Sequence, residues 1–181
     1  VVAASQKWLE TLTPEEQLKL IETDGLKEAT KQLVTEIHLN GVLHGLETDR
    51  LKKVFKKLKE FPKLIHLDLR CNGLSNNVKA AKAIAEGLKL LVNLQHLDLS
   101  YNGLGNNVEA AKAIAENLPP SLQHLDLSWN SLGNDPEAAK AFINYFAESY
   151  IKTTLICHGA AQYALEAEGF KLDESGSGRI S

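Results

Sequence analysis

The stretch LQHLDLSYNGLGNNVEAAKAIAEN, residues 94–117, returns almost unchanged at residues 122–145 as LQHLDLSWNSLGNDPEAAKAFINY. A looser copy, LIHLDLRCNGLSNNVKAAKAIAEG, occupies residues 64–87. The three copies start 30 and 28 residues apart, and self-similarity at such a period predicts a repeat architecture. One unit alone cannot bury its apolar edge, whereas a stack of units can, so we expect a solenoid.

Each copy changes its hydrophobic period part-way along. Apolar residues first come at every second position, as at Leu97 and Leu99, which predicts a short strand. They then follow helical spacing, and in the middle copy this stripe is Val108, Ala111, Ile114, Ala115 and Leu118. Residues that favour helix N-termini precede the stripes: Asn77, Asn107 and Asp135, with Pro136 at a first helical position. Each unit is therefore a strand, a tight turn and a helix.

Worn copies flank the clear ones. Residues 34–63 repeat the pattern loosely, and 151–156 and 160–168 read as a last strand and helix. The capping-box sequence at 13–16 opens two short helices, at 14–23 and 25–33. We therefore divide the chain into a helical cap at 1–33, a solenoid of about five units at 34–172 with the clear ones at 64–149, and a disordered tail at 173–181.

The motif LxxLxLxxNxL carries a family resemblance. It occurs at 64–74, 94–104 and 122–132, and it resembles the leucine-rich repeat; the repeat length is similar to that of the ribonuclease-inhibitor-like subclass. The resemblance implies an α/β solenoid with a curved parallel sheet on the concave side and helices on the convex side. The phrase LDLSxNxLG is also similar to repeats in effector proteins of intracellular bacteria. That second likeness implies a host protein as partner and secretion by a bacterium into the host cytosol.

An asparagine follows each strand, as Asn72, Asn102 and Asn130. An amide both donates and accepts hydrogen bonds, so a buried column of amides can satisfy backbone groups where the strands turn. We expect this structural role, rather than ligand binding.

Alternation along the strands leaves a second set of side chains for recognition. If the leucines point inward, the concave side carries columns of histidines, of aspartates and of Cys71, Tyr101 and Trp129, with Glu36, His38 and Asn40 as counterparts in the first worn unit. The candidate partner-binding residues are His66, Asp68, Arg70, His96, Asp98, Ser100, Tyr101, His124, Asp126, Ser128 and Trp129.

Three interpretations of this face remain open. Its side chains are repeat-consensus residues exposed to water, or they dock a basic partner, or they form a His/Asp site for zinc or a similar ion. A flat array of strands does not easily supply the tetrahedral set of ligands that zinc prefers. The adjacent rings of Tyr101 and Trp129 are either interface anchors or covers for their own turns.

Other features give less. The basic amphipathic stretch at 48–61 could bind an anionic membrane, but its stripe at Leu51, Val54, Phe55 and Leu58 fits packing in the stack better. Cys157 and His158 face opposite sides of a strand, which disfavours a thiol enzyme.

No GxSxG, P-loop, HExxH or CxxC motif occurs, and a net charge of −3 gives no sign of a nucleic-acid partner. Two distant cysteines favour a reducing, cytoplasmic compartment, and the lack of methionine suggests an excised domain.

The sequence thus predicts a monomeric protein–protein interaction module, not an enzyme, that binds its partner through the concave sheet and the aromatic rim. We expect no cofactor, no metal, no nucleic acid and no membrane partner. The alternative is the substrate-targeting domain of a larger enzyme, such as a ligase whose catalytic part lies elsewhere. A third possibility is a spacer without a ligand.

Overall fold

A computed structural model describes residues 2–148, 154–156 and 177–179, with side chains for 6–146. The helices are α1 Val2–Leu9, α2 Pro14–Glu22, α3 Glu28–Lys31, α4 Thr48–Leu58, α5 Val78–Leu88, α6 Val108–Ala115 and α7 Pro136–Glu148. The strands are β1 Glu36–His38, β2 His66–Asp68, β3 His96–Asp98, β4 His124–Asp126, β5 Thr154–Ile156 and β6 Ser177–Arg179. Single 3₁₀ turns at Leu74–Asn76, Leu104–Asn106 and Leu132–Asn134 link strand to helix in the clear units.

The strands form one sheet in chain order, and β1 to β5 are parallel. Equivalent residues of successive units pair directly, so that His66 lies beside His96, and His96 beside His124. The central residue of each strand from β1 to β4 is buried, as at Leu67 and Leu125. The α/β solenoid predicted from the repeats is therefore confirmed.

The asparagine ladder, Asn72, Asn102 and Asn130, lies inside this stack, and each residue is at most 3% exposed. Asn72 Oδ1 accepts a hydrogen bond from the backbone N–H of Leu43 (2.8 Å), and Asn102 Oδ1 accepts one from that of Asn72 (2.9 Å). Asn130 Oδ1 accepts two, from the N–H groups of Asn102 (3.1 Å) and Leu104 (3.2 Å). The amide nitrogens donate to carbonyl groups at the strand ends, so the predicted structural role is confirmed.

The predicted helix caps are also present. Asn77 and Asn107 each accept a hydrogen bond from the backbone N–H three residues on, at 3.1 Å. Asp135 Oδ1 accepts one from the N–H of Glu137 at 2.8 Å, and α7 begins at Pro136 as expected. Helix α6 is only 8 residues long, against 11 in α5, because Pro119 and Pro120 follow it closely. This unit spans 28 residues rather than 30, and the shortening falls in its helix. The register between β3 and β4 is therefore the same as that between β2 and β3.

The N-terminal cap closes the sheet with glutamine side chains. The capping box of Thr13 and Glu16 is formed as predicted, whereas α1 was not anticipated and α3 is shorter than the predicted 25–33. Gln6 Oε1 accepts a hydrogen bond from the N–H of Thr35 at 3.0 Å, and Gln17 Oε1 accepts one from the N–H of His38 at 2.9 Å. These bonds occupy edge groups of β1 that would otherwise be open to another strand.

Helix α4 packs its apolar stripe into the stack, as predicted for residues 48–61. Its stripe at Leu51, Val54, Phe55 and Leu58 is at most 1% exposed. Its cations reach acidic groups of the N-terminal cap, as in the pairs Arg50–Glu22 and Lys57–Asp24. No helix within the described residues is long and apolar enough to cross a bilayer.

The end of the chain differs from the prediction in one respect. Residues 154–156 form β5 within the predicted strand at 151–156, whereas the predicted helix at 160–168 lies outside the described residues. Ser177–Arg179, predicted to be disordered, forms β6, which pairs antiparallel with β5. Backbone pairing needs no particular side chains, which is why a small polar sequence gave no sign of it.

Candidate binding face

The side of the sheet away from the helices, here called the open face, carries a column of imidazoles. The histidine column consists of His38, His66, His96 and His124, which occupy equivalent positions in β1 to β4. Ring centroids are 6.2, 5.6 and 4.3 Å apart in chain order, and the last pair is stacked with an interplanar angle of 9°. All four side chains are half-buried, because each ring partly covers the next.

Carboxylates accompany only the first half of the histidine column. Glu36 Oε1 lies 3.3 Å from His38 Nε2 and 3.0 Å from His66 Nδ1. Burial lowers the pKa of His96, and the nearby His124 and His66 lower it further. The column therefore resists protonation at His96.

The aspartate column, Asp68, Asp98 and Asp126, has a structural role that the sequence analysis missed. In each residue Oδ1 accepts a hydrogen bond from the backbone N–H two positions on, at distances of 2.8–3.0 Å. This is an Asx turn, which fixes the chain as it leaves the strand. The sequence signal for this role was the aspartate that occurs two residues before the turn in every clear unit.

The charge on this column is unevenly neutralised. Arg70 Nε lies 3.1 Å from both oxygens of Asp68 and its Nη2 lies 2.8 Å from Oδ2. Burial opposes ionisation of Asp68, but Arg70 outweighs it and lowers the pKa of that carboxyl group. Burial raises the pKa of Asp98, as do the charges of Asp126 and Asp68, although bonds from Ser100 act the other way.

Three of the predicted binding residues do not offer free surface. Asp68, Ser100 and Ser128 lie on the open face but are only 3%, 4% and 5% exposed. Asp68 is covered by Arg70, and the Ser100 hydroxyl turns back to donate to Asp98 Oδ1 at 2.7 Å. The expectation that these residues are open to a partner is therefore wrong. Arg70 is exposed, whereas Asp98, Asp126 and the three histidines His66, His96 and His124 are half-buried.

Tyr101 and Trp129 form the aromatic rim at the edge where the strands end. Their rings stack on each other with centroids 5.5 Å apart and an interplanar angle of 13°. They are 53% and 61% exposed, so more than half of each residue's surface is open to solvent. The equivalent residue of the preceding unit, Cys71, is an exposed free thiol; Cys157 and His158 lie outside the described residues.

The backbone at the aromatic rim is unusual. Tyr101 and Trp129 have φ angles of 57° and 59°, in the left-handed region that glycine adopts freely. A side chain there costs about 1–2 kcal/mol. Cys71, at the equivalent position of the preceding unit, has a φ angle of 58°, so this conformation is a property of the repeat.

No group of three or more His, Cys, Asp or Glu residues in the described part of the chain could hold a metal ion. The zinc interpretation of the open face thus has no support there. The hollows on the helix side are charged grooves, such as the one lined by Lys112, Glu116, Lys140 and Tyr145 between α6 and α7.

Comparison with known protein families finds the same repeat in part of the chain. Residues 90–107 and 119–135 match the family model of the leucine-rich repeat. The fold is a leucine-rich-repeat solenoid. Such repeats generally mediate protein–protein interaction. The C-terminal domain of tropomodulin from Caenorhabditis elegans is similar in structure, with a TM-score of 0.47 and 8% sequence identity over 86% of this chain and 90% of that one. No curated protein matches the sequence.

Proposed function

We propose that this solenoid is a protein-interaction module that binds its partner through the open face and the aromatic rim. The observation that carries the proposal is the exposed, stacked pair of Tyr101 and Trp129. Large aromatic side chains dominate the binding energy of protein interfaces, because they bury much area with few rotatable bonds.

The exposure of the two rings supports the same proposal. Because the exposed rings gain little from burial, their presence is better explained by a partner than by the stability of the solenoid.

The finer assignments are proposals as well. We propose that the repeats are of the ribonuclease-inhibitor-like subclass, that the module is a non-catalytic monomer, and that it acts in a reducing, cytoplasmic compartment. The phrase LDLSxNxLG at 97–105 supports a bacterial effector that binds a host protein. The full reading frame tests the ligase alternative, because a catalytic domain would be encoded beside these repeats.

The experiment is affinity capture from host-cell lysate with matched variants. The parent chain is compared with Tyr101→Ala/Trp129→Ala and with a control, Glu116→Gln, on the helix side. A partner held by the parent and by the control, but lost by the double variant, supports the proposal. Anchors of this kind are worth about 2 kcal/mol each or more, so calorimetry with the purified partner should show roughly 30-fold weaker binding for each single variant.

The proposal is refuted if the captured partner binds the double variant as tightly as the parent. Thermal melts of all variants must accompany the binding data, so that a loss of folded protein is not mistaken for a loss of contacts.

A further inference from the structure

The charge of the open face points to one class of side chain at the aromatic rim. Along β1 to β4 and the turns that follow, the face carries the carboxylates of Glu36, Asp68, Asp98 and Asp126 and the single guanidinium of Arg70. Arg70 is engaged by Asp68 and also lies 3.3 Å from Asp98 Oδ2. Along β1 to β4 the face is therefore acidic at neutral pH, and its one guanidinium is engaged by carboxylates.

The excess charge lies at Asp98 and Asp126, in the two units that also carry Tyr101 and Trp129. In the next two units serines replace Arg70, as Ser100 and Ser128. Asp98 is left sharing the guanidinium of the preceding unit, and Asp126 makes no ion pair with a basic residue of the described chain. Asp98 and Asp126 therefore lack the arginine that neutralises Asp68 from within its own unit.

Aromatic rings and carboxylates carried by the same units of one surface together favour a cation. The face of an indole ring attracts a positive charge, and it does so more strongly than other aromatic side chains. A guanidinium group is planar and weakly hydrated, so it can stack on a ring while its N–H groups donate to a carboxylate. An apolar partner group would instead bury Asp126 without a counter-charge, and Asp98 with only a share of Arg70, which is costly.

We propose that the aromatic rim, together with Asp98 and Asp126, binds an arginine side chain of the partner protein. The arginine stacks on Trp129 or Tyr101 and donates to the carboxylates. This assignment rests on the proposed function, because it names the chemistry of the partner at that same surface.

The test is a peptide titration followed by nuclear magnetic resonance. The probe is acetyl-Gly-Ser-Arg-Ser-Gly-amide, and its matched control carries citrulline, a neutral isostere, in place of arginine. The chain has two tryptophans, Trp8 and Trp129, so its spectrum contains two indole N–H signals, which a Trp8→Phe variant assigns. The titration is run at about pH 8.

We expect the Trp129 signal to move saturably with the arginine peptide, with a dissociation constant on the order of millimolar. The citrulline peptide should leave it in place, and the Trp8 signal should not respond to either peptide. Asp126→Asn should weaken binding about 5-fold, the effect of one exposed ion pair. This variant keeps the Oδ1 atom that accepts from the Ser128 N–H, so the Asx turn survives. Glu116→Gln serves as the carboxylate control and should bind like the parent.

Equal shifts with arginine and citrulline overturn the proposal, as does the absence of a saturable shift with both. If the peptides fail while the captured partner still depends on Tyr101 and Trp129, the arginine assignment falls and the proposed function stands. If the arginine peptide binds as expected but the partner is indifferent to both rings, the cation site stands and the proposed function falls.

Discussion

Replacing Asn102 with leucine tests the asparagine ladder directly, because the side chains are similar in size and differ in hydrogen bonding. In the structure Asn102 is 1% exposed. Its Oδ1 atom accepts the bond from the Asn72 N–H, and its Nδ2 atom donates to three carbonyl groups, those of Leu69, Leu99 and Ser100.

The magnitude follows from which groups keep another partner. The Leu69 carbonyl also accepts from Asn72 Nδ2, and the Leu99 carbonyl also accepts from Asn130 Nδ2. The group that loses its bond without replacement is the buried N–H of Asn72, and an orphaned donor costs about 1–3 kcal/mol. With the weakened carbonyl groups added, we expect Asn102→Leu to lower the free energy of unfolding by about 3 kcal/mol.

The assay is urea unfolding followed by far-ultraviolet circular dichroism. Asn130→Leu should cost more than Asn102→Leu, because its Oδ1 atom serves two N–H groups rather than one. The exposed Asn144 provides a control, and its replacement with leucine should change stability by no more than about 0.5 kcal/mol. An Asn102→Leu protein as stable as the parent would show that the ladder does not stabilise the stack as argued.

Three further predictions concern packing, backbone strain and pH. Gly105→Ala should destabilise by about 1–3 kcal/mol or more in the same urea assay, because the added methyl group would overlap the backbone carbonyl of Ser131; unchanged stability would contradict the packing. Trp129→Gly should be about 1 kcal/mol more stable than Trp129→Ala in thermal melts, since only glycine escapes the cost of a φ of 59°, and the reverse order would show that strain is absent. Stability should fall as pH drops below about 6.5, because the lowered pKa of His96 lets the unfolded chain take up a proton more readily than the folded one. The slope of unfolding free energy against pH should be shallower in His96→Gln, and identical slopes would contradict this assignment.

Sequence reasoning succeeded where the repeat itself encodes the physics. The leucine spacing of 97–99 and the apolar stripe of 108–118 reflect burial alone. The strands and helices of the clear units could therefore be predicted from these spacings. Asn102 and Asn107 were placed correctly, because an amide after a strand and an amide before a helix have few other uses.

The missed features depend on neighbours that are remote in sequence. Gln6 and Gln17 satisfy backbone groups of β1, and this role cannot be read without knowing which strand forms the edge. Alternation placed Asp68 on the open face correctly, but its exposure was decided by Arg70, which folds over it. The positive φ values of Tyr101 and Trp129 were not anticipated, since such values are expected at glycine or asparagine.

The asparagine ladder has a direction, and this direction matters for synthesis of the chain. Each asparagine accepts from a backbone N–H of the preceding unit, so Leu43 relies on Asn72 and Asn72 relies on Asn102. On the ribosome, an emerging unit therefore holds an unpaired amide until about 30 more residues have been translated. Each unit of the nascent solenoid should therefore complete its buried hydrogen bonds only after the next unit has been synthesised.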